Sequence, residues 1–246
     1  MDNYQNISYM VYDLINDHII TAQNPTKIAP VASIVKLIVA MQVLDQQPNL
    51  SDYILVDGTA PGGTEEYGPL PMGLVTREDL LKAALIQSDN HAVYYLCQAY
   101  PGGEDKMLQD INDRVQKLNM NNTEIVFLHT SAAKKIPGKF NASTAEDLQK
   151  LLKEVLKYPI IKEISTTKKA TVFDGRIQLE NKSRIILEKN NSVILNKTGR
   201  GNGGTSYSIA IAINKNNKLY GIVVLDAKDG SSRAQIVFNL MDRYTI

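Results

Sequence analysis

Between Ser33 and Gln46 the chain is apolar almost all round, with Ile34, Val35, Leu37, Ile38, Val39, Ala40, Met41, Val43 and Leu44 leaving no polar face. A helix of this kind is stable only when other elements cover it on every side, so the segment must form the centre of a helical core. One residue breaks the pattern. Lys36 is the only charged side chain between Lys27 and Asp45, and full burial disfavours an ammonium, lowering its pKa by as much as about 3 to 5. A lysine so placed is either a stem that snorkels to solvent or a group able to accept a proton near neutrality. Lys36 alone leaves both readings open.

A chain of 246 residues, 43% of them hydrophobic, can bury one large core or two modest ones and is too apolar for disorder. Its 27 basic and 26 acidic residues leave a net charge of +1, which provides no long-range field for nucleic acid or an anionic membrane. Cys97 is the single cysteine, so an internal disulfide and cysteine-rich metal sites are excluded, and His18, His91 and His129 are too scattered for a metal cage. Chemistry is therefore left to hydroxyls, lysines and carboxylates, with neither metal nor organic cofactor expected. The run from Ile28 to Leu44 is interrupted by Pro30, Ser33, Lys36 and Gln42 and falls short of a membrane span. Residues 1–8, MDNYQNIS, have neither the basic start nor the apolar stretch of an export signal. They leave the natural start open.

Two short β-prone runs, Ile7–Asp13 and His18–Ala22, read as an N-terminal hairpin. Helices are expected at Ser33–Gln46, from Thr76 capped with Asp79, at Ala92–Tyr100, at Glu104–Leu118, at Thr144–Tyr158 and around Ile160–Ile164. From Val172 onward the period becomes 2, with strands at Ser192–Lys197, Tyr207–Asn214 and Lys218–Asp226 before a last helix at Ser232–Tyr244. Strands at both ends with helices between them point to one antiparallel sheet assembled from the two termini, with a helical domain inserted.

Three short motifs could carry chemistry. Ser-x-x-Lys puts an amine one helical turn from a hydroxyl that needs a base to become nucleophilic. It occurs at Ser33/Lys36, Ser131/Lys134 and Ser165/Lys168, and only Lys36 sits in apolar surroundings. Ser88-Asp89-Asn90 interrupts a buried helical stretch, either capping the next helix or presenting a hydroxyl and an amide to a cleft. Lys197-Thr198-Gly199 follows the apolar strand SVILN, either as a plain strand end or as a place where something approaches the edge closely. The nearby GRGNGG leads into a strand rather than a helix and is not a phosphate cradle.

In this order the three motifs form the set shared by serine β-lactamases and penicillin-binding proteins, and the sequence resembles class A β-lactamases. LVTREDLLKAALIQSDNHAVYYL and IPGKFNASTAEDLQKLL extend the likeness over nearly the whole chain. The resemblance implies a mixed α/β fold of the α+β type: a five-stranded antiparallel sheet from both termini with flanking helices, plus an inserted all-helical domain. Residues 1–30 with 168–246 would form the sheet domain, and 31–167 the helical domain. It also implies Ser33 as acylated nucleophile, Lys36 as its base and Ser88 as proton donor to the leaving nitrogen. Asn90 would hold the substrate amide. Lys197, Thr198 and Gly199 would line the carboxylate end, and the backbone N–H groups of Ser33 and Arg200 would form the oxyanion hole. Arg200 stands where the family usually keeps a small residue, and is expected to reshape the cleft edge or pair with a substrate carboxylate. Ser206 stands where many members keep an arginine, which Arg200 would replace.

The informative departure is LHTSAAKKIPG at 128–138, where His129 and Ala133 occupy the places of the family's deacylating glutamate and its asparagine. Loss of that general base, typically worth about 10² to 10⁴ in rate, predicts slow deacylation. His129 is either a substitute water-activating base or a surface loop histidine. Cys97 is read as an inert core thiol, His91 as a packing or capping residue, and KSR and KKAT as solvated faces. The expected activity is that of a serine β-lactamase-like hydrolase forming an acyl-enzyme with β-lactams or D-alanyl peptides. The alternatives are a D-alanyl-D-alanine peptidase, a small-ester hydrolase, or a non-hydrolysing protein that binds a cell-wall peptide or β-lactam. The partner is a small molecule, a monomer is expected, and the resemblance implies an extracytoplasmic setting although no export signal is present.

Overall fold

The computed structural model describes residues 6–60, 70–129 and 138–245. The chain begins with the expected hairpin, β1 (Ser8–Asp13) and β2 (His18–Gln23). Asp13 builds its turn, accepting hydrogen bonds from the backbone N–H groups of Ile15 at 2.9 Å and Asn16 at 2.8 Å. Next come β3 (Ala29–Pro30), a 3-10 turn (Ala32–Val35) and α1 (Lys36–Gln46). The apolar helix thus starts three residues later than its sequence pattern implies. The preceding turn departs from helical geometry at Ala32, whose φ of 46° is left-handed and unusual for a residue with a Cβ.

The middle of the chain holds β4 (Tyr53–Val56), β5 (Gly73–Thr76), α2 (Arg77–Lys82), α3 (Asn90–Gln98) and α4 (Gly103–Lys117). Thr76 caps α2 by accepting from the Asp79 N–H at 3.2 Å, as its position before the apolar run predicts. Then follow β6 (Ala142–Ser143), α5 (Ala145–Val155), α6 (Pro159–Thr166), β7 (Lys169–Val172), β8 (Ile177–Glu180) and α7 (Arg184–Lys189). The chain closes with β9 (Val193–Gly201), β10 (Ser206–Lys215), β11 (Lys218–Ala227) and α8 (Gly230–Tyr244). The β4–β5 and β7–β8 hairpins and α7 have no counterpart in the sequence reading, because four to six residues are too few to show a period.

Five strands form one antiparallel sheet in the order β2-β1-β11-β10-β9. The tight β10–β11 turn is made by Asn216 and Asn217, both with positive φ, which the twist of a two-residue hairpin demands. Alternation sends Met10, Leu195, Ala210, Ala212, Val223 and Leu225 into the helical core that surrounds α1. Val11, Ile209, Ile211, Ile213, Ile222 and Val224 face α7 and α8. Both faces are covered, which is why β10 reads as a nearly continuous apolar run. β9 remains an edge strand, with one row of backbone groups turned toward the helical core. Among the described residues no helix is long and apolar enough to cross a membrane.

Candidate active site

A cleft of about 640 Å³ opens between the 3-10 turn, the start of α3, the end of β9 and residues 127–129 and 138–141. At its floor Lys36, 1% exposed, meets four polar atoms. Its Nζ lies 2.7 Å from the Ser88 carbonyl oxygen, 2.7 Å from Asn90 Oδ1, 3.1 Å from Ser33 Oγ and 3.4 Å from Ser88 Oγ. Burial pushes the ammonium down to about 7, only partly opposed by the carboxylate of Asp89. A neutral amine has two N–H donors and one lone pair. The protonated amine donates to Ser33 Oγ; once neutral, with its two N–H groups on the two carbonyl-type acceptors, its lone pair falls to the Ser33 hydroxyl. Lys36 does not snorkel.

Ser88 is placed by an interruption of helical geometry. Ala83–Gln87 form a π turn, and the chain leaves it through Ser88 with a φ of 65°. Asp89 then caps α3 by accepting from the Ala92 N–H at 2.8 Å. Both readings of the tripeptide hold at once: Asp89 caps, while Ser88 and Asn90 face Lys36. On its other side Ser88 Oγ accepts a hydrogen bond from Lys197 Nζ at 2.9 Å. Lys197 is 2% exposed, and its pKa is driven well below the ordinary lysine value by burial first, then by the positive charges of Lys36, Arg233 and Lys182. One hydroxyl is thus shared by two buried amines, a path along which a proton can move.

Gly199 explains how the strand reaches the turn. A Cβ there would stand 2.4 Å from the Val31 carbonyl oxygen, so the close approach anticipated at this glycine is made by the backbone just before Ser33. Thr198 lies two residues before Arg200 on the same strand face and pairs across the sheet with Ile209.

Other expectations are corrected. His129 is not a surface loop residue. It is 3% exposed, its Nε2 lies 3.0 Å from Glu104 Oε1, and its ring meets Tyr94 edge-on at 5.4 Å between centroids. It lines the cleft, with one ring nitrogen directed at the Glu104 carboxylate. Arg200 lies on the strand beside Ser206, opposite Tyr207. Its guanidinium carbon lies 5.6 Å from the centroid of Tyr207, its cross-strand neighbour, while Ser206 is buried with its hydroxyl unpartnered among the described residues. The buried cation on that side comes from α8: Arg233, 8% exposed, stands 5.9 Å from the same ring, with its Nε unbonded. Burial lowers the Arg233 pKa to about 10.

Asn141, which lines the cleft, and Arg233, buried beside Tyr207, are not singled out by the sequence. Asn141 Oδ1 accepts from the N–H groups of Val126 at 2.9 Å and Phe127 at 3.2 Å, and Nδ2 donates to the Phe127 carbonyl at 2.7 Å. Its own carbonyl receives the Val31 N–H at 3.0 Å, tying the cleft wall to the turn that carries Ser33. An asparagine within FNAST carries no local signal of this, and Arg233 is one of two basic residues on α8. The Ser165/Lys168 match is structural: Ser165 is fully buried and accepts from the Asn196 N–H at 3.3 Å. Ser131/Lys134 and Ala133 lie outside the described residues. In KSR the serine is not solvated, since Ser183 is buried and its hydroxyl bonds Asn196. Cys97 is buried, which raises its pKa well above the ordinary value, as expected of an inert thiol.

The fold and sequence have known relatives. The chain is similar to penicillin-binding protein D2 of Listeria monocytogenes in its ampicillin-bound form, with a TM-score of 0.82 and 24% identity over 96% of this chain and 95% of that one. It is also similar to a mutant form of the Streptomyces K15 DD-transpeptidase, with a TM-score of 0.84 and 19% identity over 96% and 95%. By sequence it is 33% identical over 226 residues to a D-alanyl-D-alanine endopeptidase of Escherichia coli K12, covering 89% of this chain and 71% of the relative. A Pseudomonas aeruginosa D-alanyl-D-alanine endopeptidase is 31% identical over 234 residues, with the same coverage. These matches carry the penicillin-binding side of the resemblance and not its narrower class A placement. Residues 2–229 match the profile described as D-alanyl-D-alanine carboxypeptidase, and the chain belongs to that family.

Proposed function

We propose that the protein is a D-alanyl-D-alanine peptidase acting through an acyl-enzyme on Ser33. The observation that carries this reading is the 3.1 Å contact between Ser33 Oγ and the buried, readily deprotonated Lys36. Lys36 takes the hydroxyl proton as the Ser33 oxygen bonds the substrate carbonyl carbon. The C–N bond then breaks, and the leaving nitrogen receives a proton through Ser88, which lies within 3.4 Å of both amines. Asn90 orients the substrate amide. The backbone N–H groups of Ser33 and Arg200 act as oxyanion donors, each worth about 3 to 4 kcal/mol in such sites.

A substrate carboxylate belongs at Lys197, Thr198 and Arg233. Lys197 and Arg233 are buried and neither has a carboxylate partner among the described residues, a costly arrangement that an anionic ligand relieves. The lobes that frame the cleft are 1–30 with 168–246, and 31–167. Cell-wall peptide as substrate implies an extracytoplasmic setting. The relatives named as endopeptidases favour an internal D-alanyl bond of cross-linked peptide as a second substrate.

Incubation with a peptide ending in D-alanyl-D-alanine and with a D-alanyl-cross-linked peptide dimer tests this reading, by following released D-alanine and dimer cleavage. Release from either supports a peptidase, and the faster of the two assigns carboxypeptidase or endopeptidase action. Absence of both products, with a penicillin adduct still formed, would reduce the protein to a binding role. Because 128–138 lacks the deacylating glutamate of β-lactamases, the penicillin adduct should persist rather than turn over.

A further inference from the structure

The charged residues lining the cleft are Lys36, Lys139 and Arg200, and no aspartate or glutamate is among the described lining residues. Lys36 is occupied at the floor. Arg200 is exposed at the end of β9, one residue beyond Lys-Thr-Gly and on the same strand face as Thr198. Its side chain has a defined seat: the guanidinium rests against Tyr207, and a Cβ at Gly204 would come within 2.7 Å of Nη2. Its described contact is the Tyr207 ring, no carboxylate pairs with it among the described residues, and a guanidinium fork matches a planar anion.

We propose that Arg200 binds a second carboxylate on the substrate, beyond the terminal one assigned to Lys197, Thr198 and Arg233, so that the preferred substrates are acidic D-alanyl peptides. Lys139, exposed on residues 138–141, adds positive potential to the same cleft. The inference rests on the acyl-serine reading of the site and names its substrate class.

Three penicillins that differ at one carbon test it: benzylpenicillin, its α-carboxy derivative and its α-amino derivative. The acylation rates of the wild type and of Arg200→Gln are read by intact mass. The wild-type-to-variant ratio should be about fivefold higher for the α-carboxy compound than for benzylpenicillin, and lowest for the α-amino compound. Moving from about 0.05 M to about 1 M salt should compress the differences, because the contact is exposed. Equal ratios for all three compounds would overturn the assignment while leaving the acyl-serine reading intact. Absence of adducts with every compound would sink both.

Discussion

Gly199 and Val31 are in backbone contact, close enough that a methyl group at 199 would stand 2.4 Å from the Val31 carbonyl oxygen. Two residues on, a Cβ at Gly201 would lie 3.2 Å from Pro30 Cβ and 3.5 Å from Ala32 Cβ. The strand that carries Lys197 and Thr198 is therefore laid directly on the turn that carries Ser33. Residues far apart in sequence are held in register by the absence of side chains.

Gly199→Ala should separate these two segments. Overpacking of this kind costs about 1 to 3 kcal/mol, read as a lower unfolding midpoint. Misplacement by about 1 Å costs on the order of 100-fold in rate, read as penicillin acylation. An unchanged acylation rate would show that the contact does not position the site.

Acylation should follow the deprotonation of Lys36. With its pKa near 7 set by burial, the neutral amine is scarce below that pH and predominant above it. The second-order acylation rate should therefore rise close to tenfold per pH unit up to about pH 7 and then level off. Lys36→Arg remains charged throughout and should lose about 10² to 10⁴ of the rate. A profile flat from pH 5 to 8 would contradict the assignment of Lys36 as base.

Glutamate at position 129 would restore the residue type found in β-lactamases, yet here it should fail. The ring it replaces lies 3.0 Å from the Glu104 carboxylate, so His129→Glu sets two acids face to face in a buried wall. A loss of about 2 kcal/mol is expected, or about 4 to 8 °C in midpoint, with no faster decay of the penicillin adduct. Accelerated decay would show that position 129 does address the acyl group.

Ser165 separates motif from function. Its Oγ donates to the Lys162 carbonyl at 3.2 Å and accepts from the Asn196 N–H, while its carbonyl receives Asn181 Nδ2 at 2.9 Å. Ser165→Ala should cost about 1 to 3 kcal/mol by leaving buried groups unpaired and should still form the penicillin adduct. Loss of the adduct from a folded variant would reopen the choice between the serine motifs.

Much of this is legible in the amino-acid sequence itself. The all-round apolarity of α1 demanded burial, and burial made Lys36 the unusual lysine, because a charge inside an apolar helix is informative by itself. The long strands β10 and β11 show as apolar runs bounded by turn residues, and α4 and α5 show a helical period. What stayed hidden depends on tertiary neighbours. His129 and Glu104 are 25 positions apart and neither is unusual locally. Arg233 becomes significant only when α8 lies across the sheet. The 3-10 turn before Lys36 arises from the backbone at Ala32, where the sequence shows only a small apolar residue.

The central claim is that Ser33 is the acylated residue. Intact-mass measurement after addition of benzylpenicillin should show a gain of one whole penicillin, and peptide mapping should place it on the fragment containing Ser33, with no gain for Ser33→Ala. An adduct that survives Ser33→Ala, or that maps to a fragment without Ser33, would contradict the account.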